Sequence, residues 1–169
     1  MNPPIPLEEA QRRLLEQVDP LPAESIPVAA ALGRYTAAPV VAARTQPSAD
    51  LSAMDGYAMA EGDLAGPWRI IGESAAGRPF GSTVAPGEAV RISTGALMPS
   101  GAGAVLLQEN ATRNGDRLSL NGEGDPSPRH IRRAGFDFRS GDPLLPAGTR
   151  IGPAQLALAI AGGLAELAV

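Results

Sequence analysis

The sequence predicts a mainly β protein with flanking helices, an α+β chain in which a β-rich domain is inserted into a small mixed α/β domain. Three observations lead there. Glycine and proline together supply 20 and 17 of the 169 residues, which favours short elements and many turns, while 44% hydrophobic residues leave enough apolar surface for a core. Short alternating segments bounded by Gly and Pro fill residues 44–128. Helical periodicity is confined to the two flanks, 1–43 and 129–169, which are expected to come together as one discontinuous dimerisation or linker domain.

In chain order, Leu7, Ala10, Leu14 and Val18 recur at helical spacing, with Leu15 widening the stripe, so the first helix is expected over Leu7–Val18. Glu8 with Arg12 and Glu9 with Arg13 stand at i, i+4 on its charged face, and Asp19-Pro20 stops it. A short helix is expected over Pro27–Leu32 with Gly33 as its stop, then a strand over Ala38–Ala42. Strands follow at Gly56–Met59, Trp68–Gly72, Glu88–Ile92, Ala104–Glu109, Ala111–Arg113 and Asp116–Leu120. Asn114-Gly115 has the composition of a two-residue type I′ hairpin loop. Trp68 reads as a core filler rather than a ligand stacker. Arg129, Arg132, Arg133 and Arg139 are interleaved with Asp137 and Asp142, so an ion-paired face is favoured over a phosphate patch. Pro153 opens a helix of about ten residues closed by Gly162-Gly163, and Leu164–Val169 reads as a last strand.

Composition removes several function classes. With no Cys there is neither a disulfide nor a thiolate nucleophile, and His130 is the single histidine, too few for a histidine metal cage. Fourteen basic residues, all Arg, against eighteen acidic ones give a net charge of −4, which is no footprint for nucleic acid. The apolar run Leu156–Leu164 is far shorter than the ~20 residues that span a bilayer. No signal peptide is visible, and a soluble, cytoplasmic protein is expected.

One stretch is ordered by something other than burial: Ser52-Ala53-Met54-Asp55-Gly56-Tyr57-Ala58. On local chemistry Asp-Gly is a common turn dipeptide, and Thr94-Gly95 an ordinary turn at a strand end. However, Ser52–Ala58 resembles the signature of the MoeA and gephyrin family of molybdopterin molybdenumtransferases. Gly87-Glu88-Ala89-Val90-Arg91-Ile92-Ser93-Thr94-Gly95-Ala96-Leu97-Met98-Pro99, running on through Gly101 and Ala104-Val105 to Glu109, is similar to a second family segment. Ile131-Arg132-Arg133, Gly135, Asp137, Leu144-Leu145, Gly148 and Pro153 are similar to a third.

The resemblance implies molybdenum cofactor biosynthesis: insertion of molybdate into adenylylated molybdopterin by a Mg²⁺-dependent homodimer. It places Asp55 and Thr94 at the reaction cleft, with Asp55 as the candidate metal ligand and Ser52, Tyr57 and Gly95 as candidate ligand-binding positions. The family's pterin-binding α/β domain has no counterpart among the 169 residues, and no Gly-rich phosphate loop is present, so the chain alone is expected to bind no cofactor tightly and to be inactive. Part of the enzyme, or a stand-alone dimerisation and scaffolding module related to it, are the two readings; an unrelated β domain binding an anion through Arg91 and Thr94 is a third. The sequence departs from the family at Leu51, where Asn is common, at Gly101-Ala102-Gly103 in place of Gly-Ala-Asp, and at Gly135-Phe136-Asp137 in place of Gly-Glu-Asp.

Overall fold

A computed structural model describes residues 4–19 and 21–169. The elements are α1 (Leu7–Leu15), β1 (Ser25–Pro27), β2 (Val40–Val41), β3 (Leu51–Ser52), β4 (Gly56–Ala60), β5 (Trp68–Ser74), β6 (Glu88–Ile92), β7 (Ala102–Leu107), β8 (Ala111–Asn114), β9 (Arg117–Leu120), β10 (Ile131–Arg132), β11 (Pro143–Leu145), α2 (Pro153–Ala161) and β12 (Glu166–Ala168). The mainly β class with helices in the flanks is what the fold shows.

Residues 56–120 supply one six-stranded sheet in the order β7-β4-β6-β5-β9-β8, antiparallel except for the parallel β5–β6 pair. Strand β4 is buried at all five positions because the sheet is covered on both faces. Tyr57 and Met59 point into a cluster with Trp68, Leu106 and Leu118, while Ala58 points the other way, toward Ile92, Val105 and Ile131. Trp68 is a core residue, 1% exposed, and its indole N–H donates to the Asp63 carbonyl at 3.0 Å, which satisfies its polar atom.

A separate cluster joins Ala31, Val40, Leu145, Ile151, Ala159 and Leu167. Two antiparallel pairs, β1 with β12 and β2 with β11, draw its distant segments together. Helix α2 starts at Pro153, where the missing N–H costs nothing, and Gln155 Oε1 accepts from the Gly152 N–H at 3.2 Å. At its other end Arg44 Nε donates to the Ala161 carbonyl at 2.7 Å, a cation on free carbonyls where the helix dipole favours one.

Several local expectations change. Helix α1 ends at Leu15, and Val18 lies in a tightened exit where Gln17 and Val18 N–H groups reach back only three residues, to Leu14 and Leu15. No residue of α1 is buried. The expected Glu9–Arg13 pair forms at 2.6 Å, but Arg12 turns to Glu9 at 2.7 Å instead of Glu8. The helix expected over 27–32 is a single 3₁₀ turn, Val28–Ala30, since Pro27 is extended and Ala31 already caps it. The hairpin exists with its loop shifted by one residue: Asn114 pairs with Arg117, so Gly115-Asp116 make the turn. Only Gly115 has positive φ, at the first central position, which is the type II′ pattern instead of I′.

Candidate functional site

The site is built where the Asp-Gly-Tyr motif enters the sheet. Gly56 is fixed by space: it lies beside β7, and a Cβ there would collide with the carbonyl of Leu106. Only glycine lets the chain turn from a loop into a central strand at that point, and this sets the direction of the residue before it.

Upstream, Ser52 is 2% exposed and is held on two sides. Its N–H donates to Ala96 O at 2.9 Å and its carbonyl accepts from Gly95 N at 2.8 Å, while β3 pairs with β10 through Ser52 and Ile131. The Ser52 hydroxyl donates to Met54 O at 2.6 Å and accepts from Met54 N at 3.3 Å, closing the turn that carries Asp55. Ala53 N–H donates to His130 O at 2.8 Å, and Gln108 N–H donates to the Asp55 carbonyl at 3.1 Å. The loop is thus pinned by segments around residues 94–96, 108 and 130.

This framing leaves the Asp55 carboxylate exposed at the end of β6. Its Oδ1 accepts the Thr94 backbone N–H at 2.7 Å and the Thr94 hydroxyl at 3.2 Å. The Thr94 N–H bond is the main reason that the Asp55 carboxyl lies below its ordinary range; partial desolvation opposes it, and the Thr94 hydroxyl and the charge of Arg91 reinforce it. Asp55 is therefore a fixed anion at neutral pH. Gly95, with φ of +78°, supplies the left-handed turn that presents Thr94 and returns the chain to Ala96.

Asp55, Thr94 and Gly95 share one exposed corner, whereas the side chains of Ser52 and Tyr57 lie behind it. Tyr57 is 5% exposed in the sheet core, with the Arg91 guanidinium 5.5 Å from its ring centroid. Arg91 also donates to Gly56 O at 2.8 Å, Ile92 O at 2.6 Å and Gln108 Oε1 at 2.5 Å. These three bonds hold the Arg91 guanidinium against the wall, half-buried beside the Tyr57 ring. Two residues that the motifs did not point to complete the support. Gln108 braces Arg91 and the Asp55 carbonyl, and Asp50 accepts from Ala134 N at 2.8 Å and Arg133 Nη1 at 2.6 Å. An acid at the end of the turn-rich stretch Gln46-Pro47-Ser48-Ala49-Asp50 is the only sequence signal that Asp50 gave.

Among the described residues there is no cluster of three or more His, Asp or Glu side chains that could hold a metal ion. Mg²⁺ demands near-octahedral oxygen ligands, so a single carboxylate with one oxygen already bonded to Thr94 is not a Mg²⁺ site by itself. Among the described residues no helix is long and apolar enough to cross a membrane.

The family described as MoeA N-terminal region (domain I and II) matches residues 5–163. A molybdopterin molybdenumtransferase of Haemophilus influenzae is 36% identical over 166 residues, covering 96% of this chain and 41% of the relative. Molybdopterin molybdenumtransferase 2 of Mycobacterium tuberculosis is 35% identical over 170 residues, covering 96% and 42%. A crystal structure of the molybdopterin biosynthesis moeA protein from Pyrococcus horikoshii OT3 superposes with a TM-score of 0.86 at 31% identity, over 98% of this chain and 45% of that one. The chain spans about two fifths of the length of these curated relatives. With a family match across almost all of its residues and the same fold in a solved relative, the chain belongs to the MoeA N-terminal region family.

Proposed function

We propose that this chain serves molybdenum cofactor biosynthesis as the front half of a molybdopterin molybdenumtransferase, supplying one wall of the cleft in which molybdate is inserted into adenylylated molybdopterin. The observation that carries the reading is the Asp55–Thr94 contact, which joins two motifs 39 residues apart at an exposed corner held from behind. The Thr94 hydroxyl, which donates to Asp55 Oδ1 at 3.2 Å, can donate to an oxyanion such as molybdate by turning its single proton from Asp55 to the ligand, while the Thr94 N–H keeps the Asp55 carboxylate in place. Tyr57 and Ser52 shape the wall instead of touching the ligand. Mg²⁺ belongs to the complete enzyme in this reading, with ligands beyond Asp55, and no step is assigned to it.

The same reading divides the chain into 1–43 plus 129–169 as a discontinuous domain and 44–128 as the β insert; the cluster of Val40, Ile151 and Leu167 and the β1–β12 and β2–β11 pairs support it, while β10 packs with the insert, Ile131 pairing with Ser52 and joining Ala58, Ile92 and Val105. It also takes the protein to be a cytoplasmic homodimer. Support for the dimer comes from α1, where Leu7, Leu14 and Leu15 are 67–73% exposed on one helix. One wall is not a cleft, since insertion needs groups converging from several sides. The test is to assay cofactor formation by the 169-residue chain and by a full-length relative in which it replaces the matching region. The chimera should insert molybdenum and the chain alone should not; turnover by the chain alone, or a folded but inactive chimera, would overturn the proposal.

A further inference from the structure

Beside the Asp55 loop, on the β10 side, Ala53, Arg129, Ile131, Arg132 and Phe136 line a recess of about 320 Å³. It adjoins the site through Ala53, two residues before Asp55 and bonded to the His130 carbonyl. Its outer edge is Phe136, 72% exposed, whereas Trp68 and Tyr57 are both buried. The ring is positioned, not loose. Gly135 takes a φ of +72°, and the Phe136 N–H closes a turn on the Arg133 carbonyl at 3.0 Å. The Arg132 guanidinium stands 5.6 Å from the ring centroid, and its Nη2 donates to both oxygens of Asp137 at 2.6 Å. Arg132 thus fixes one side of the ring with its own charge already neutralised.

Arg129 differs from it: among the described residues its side chain makes neither an ion pair nor a hydrogen bond, although its backbone N–H is tied to Ser127 Oγ at 3.2 Å. The recess therefore offers an apolar floor from Ile131 and Ala53, an exposed aromatic plate and one uncompensated cation. A flat ring with an anionic substituent is the chemistry that uses all three, because stacking rewards the ring and the guanidinium forks onto an anion. The volume lies at the low end of the ~300–1,000 Å³ typical of ligand clefts, which suits one ring system and its substituent.

We infer that this recess binds a fused heteroaromatic ring bearing a phosphate, the ring against Phe136 and the phosphate at Arg129, and that Phe136 is a specificity-determining residue for it. The choice between a pterin and a purine rests on the proposed function above, whose substrate carries both. Isotope-labelled 169-residue chain is titrated with AMP, with neopterin monophosphate and with ribose 5-phosphate, following the amides of Ala53 and of residues 129–137. At least one ring compound should shift these amides saturably, and the tighter of the two identifies the source of the ring. Ribose 5-phosphate should bind about ten-fold more weakly, since it lacks the stacking surface. Phe136→Leu and Arg129→Gln should each weaken the ring compound about five-fold, and Phe136→Tyr should retain it. No shift with either ring compound, equal binding of ribose 5-phosphate, or an unchanged affinity in Phe136→Leu would overturn the inference. So would a Phe136→Leu variant that changes only the oligomeric mass, because the ring would then be a protein contact. Failure of these titrations leaves the Asp55–Thr94 reading intact, as that is judged by insertion rate; normal insertion by an Asp55→Asn chimera would sink that reading and leave these shifts standing.

Discussion

Arg133 and Asp50, 83 residues apart, meet at 2.6 Å through Nη1 and Oδ2, while the next backbone N–H, of Ala134, donates to Asp50 Oδ1 at 2.8 Å. This clamp ties the approach to the Asp55 loop to the segment leaving β10. Because the backbone bond survives loss of the arginine, the two partners are not equivalent. Asp50→Ala should lower stability to urea by about 1–2 kcal/mol, the charge-assisted bonds being discounted for partial exposure, and Arg133→Ala by about half that. Equal losses would show that the ion pair, not the Ala134 bond, carries the clamp.

Acid should weaken the protein through these same carboxylates. Asp50 is held below its ordinary range chiefly by the Ala134 N–H, and Asp55 chiefly by the Thr94 N–H. For a depressed carboxyl the unfolded chain takes up protons first as pH falls. The stabilisation is therefore complete above the unfolded value, near pH ~4, and is lost as pH drops through the lower folded value. Thermal melts between pH 7 and 3 should show a flat midpoint at the upper end and a falling one at the lower. Asp50→Asn should start lower and fall less; an unchanged slope in that variant would remove Asp50 from the account.

Gly56 should be intolerant of even one methyl group. A Cβ would meet the backbone carbonyl of Leu106 in β7, the strand paired with β4, and backbone cannot move aside as a flexible side chain can. Gly56→Ala should cost about 2–3 kcal/mol and disturb the amides of β4 and β7, whereas Gly115→Ala, in the open hairpin turn, should cost about 1–2 kcal/mol from positive φ alone. A Gly56→Ala variant as stable as the parent would mean that the sheet spreads freely.

Much of this was legible in the sequence, and the failures share a cause. β4 and β6 stood out because Gly and Pro bound short apolar runs, β8 and β9 because Asn114-Gly115 falls between two alternating segments, and α2 because Pro153 and Gly162 bracket it. β2 lies inside the strand expected over 38–42, but the short strands β3, β10 and β11 were not separable, as each exists only through a partner some 80–100 residues away. β5 runs on to Ser74 past Gly72, which looked like a stop but is packed under the Phe80 ring. The hairpin register slipped by one because Asn114 pairs with Arg117, a cross-strand choice invisible to turn composition. At the site, motif order identified Asp55 and Thr94, yet nothing local indicated that their contact runs through a backbone N–H or that Arg91 is used internally.

The α1 leucines give a test of assembly. Leu14 and Leu15 are 67% and 72% exposed on a helix whose opposite face carries the Glu9–Arg12–Arg13 pairs. At tens of micromolar the chain should sediment as a dimer, and Leu14→Glu with Leu15→Glu should shift it toward monomer with little change in its melting midpoint, since neither side chain is buried within the chain. A parent that is already monomeric would refute the dimer and assign the stripe to another contact.

Whether the Asp55–Thr94 corner acts on the reacting ligand is tested by the rate of molybdenum insertion in the full-length chimera carrying Asp55→Asn. The amide oxygen can still accept the Thr94 N–H, so the fold should be kept while the fixed negative charge is lost. The rate should fall on the order of 10²-fold, the scale for removing one preorganised group at a reaction centre, with an unaltered circular dichroism spectrum. A folded Asp55→Asn chimera that inserts molybdenum at the parent rate would contradict the claim.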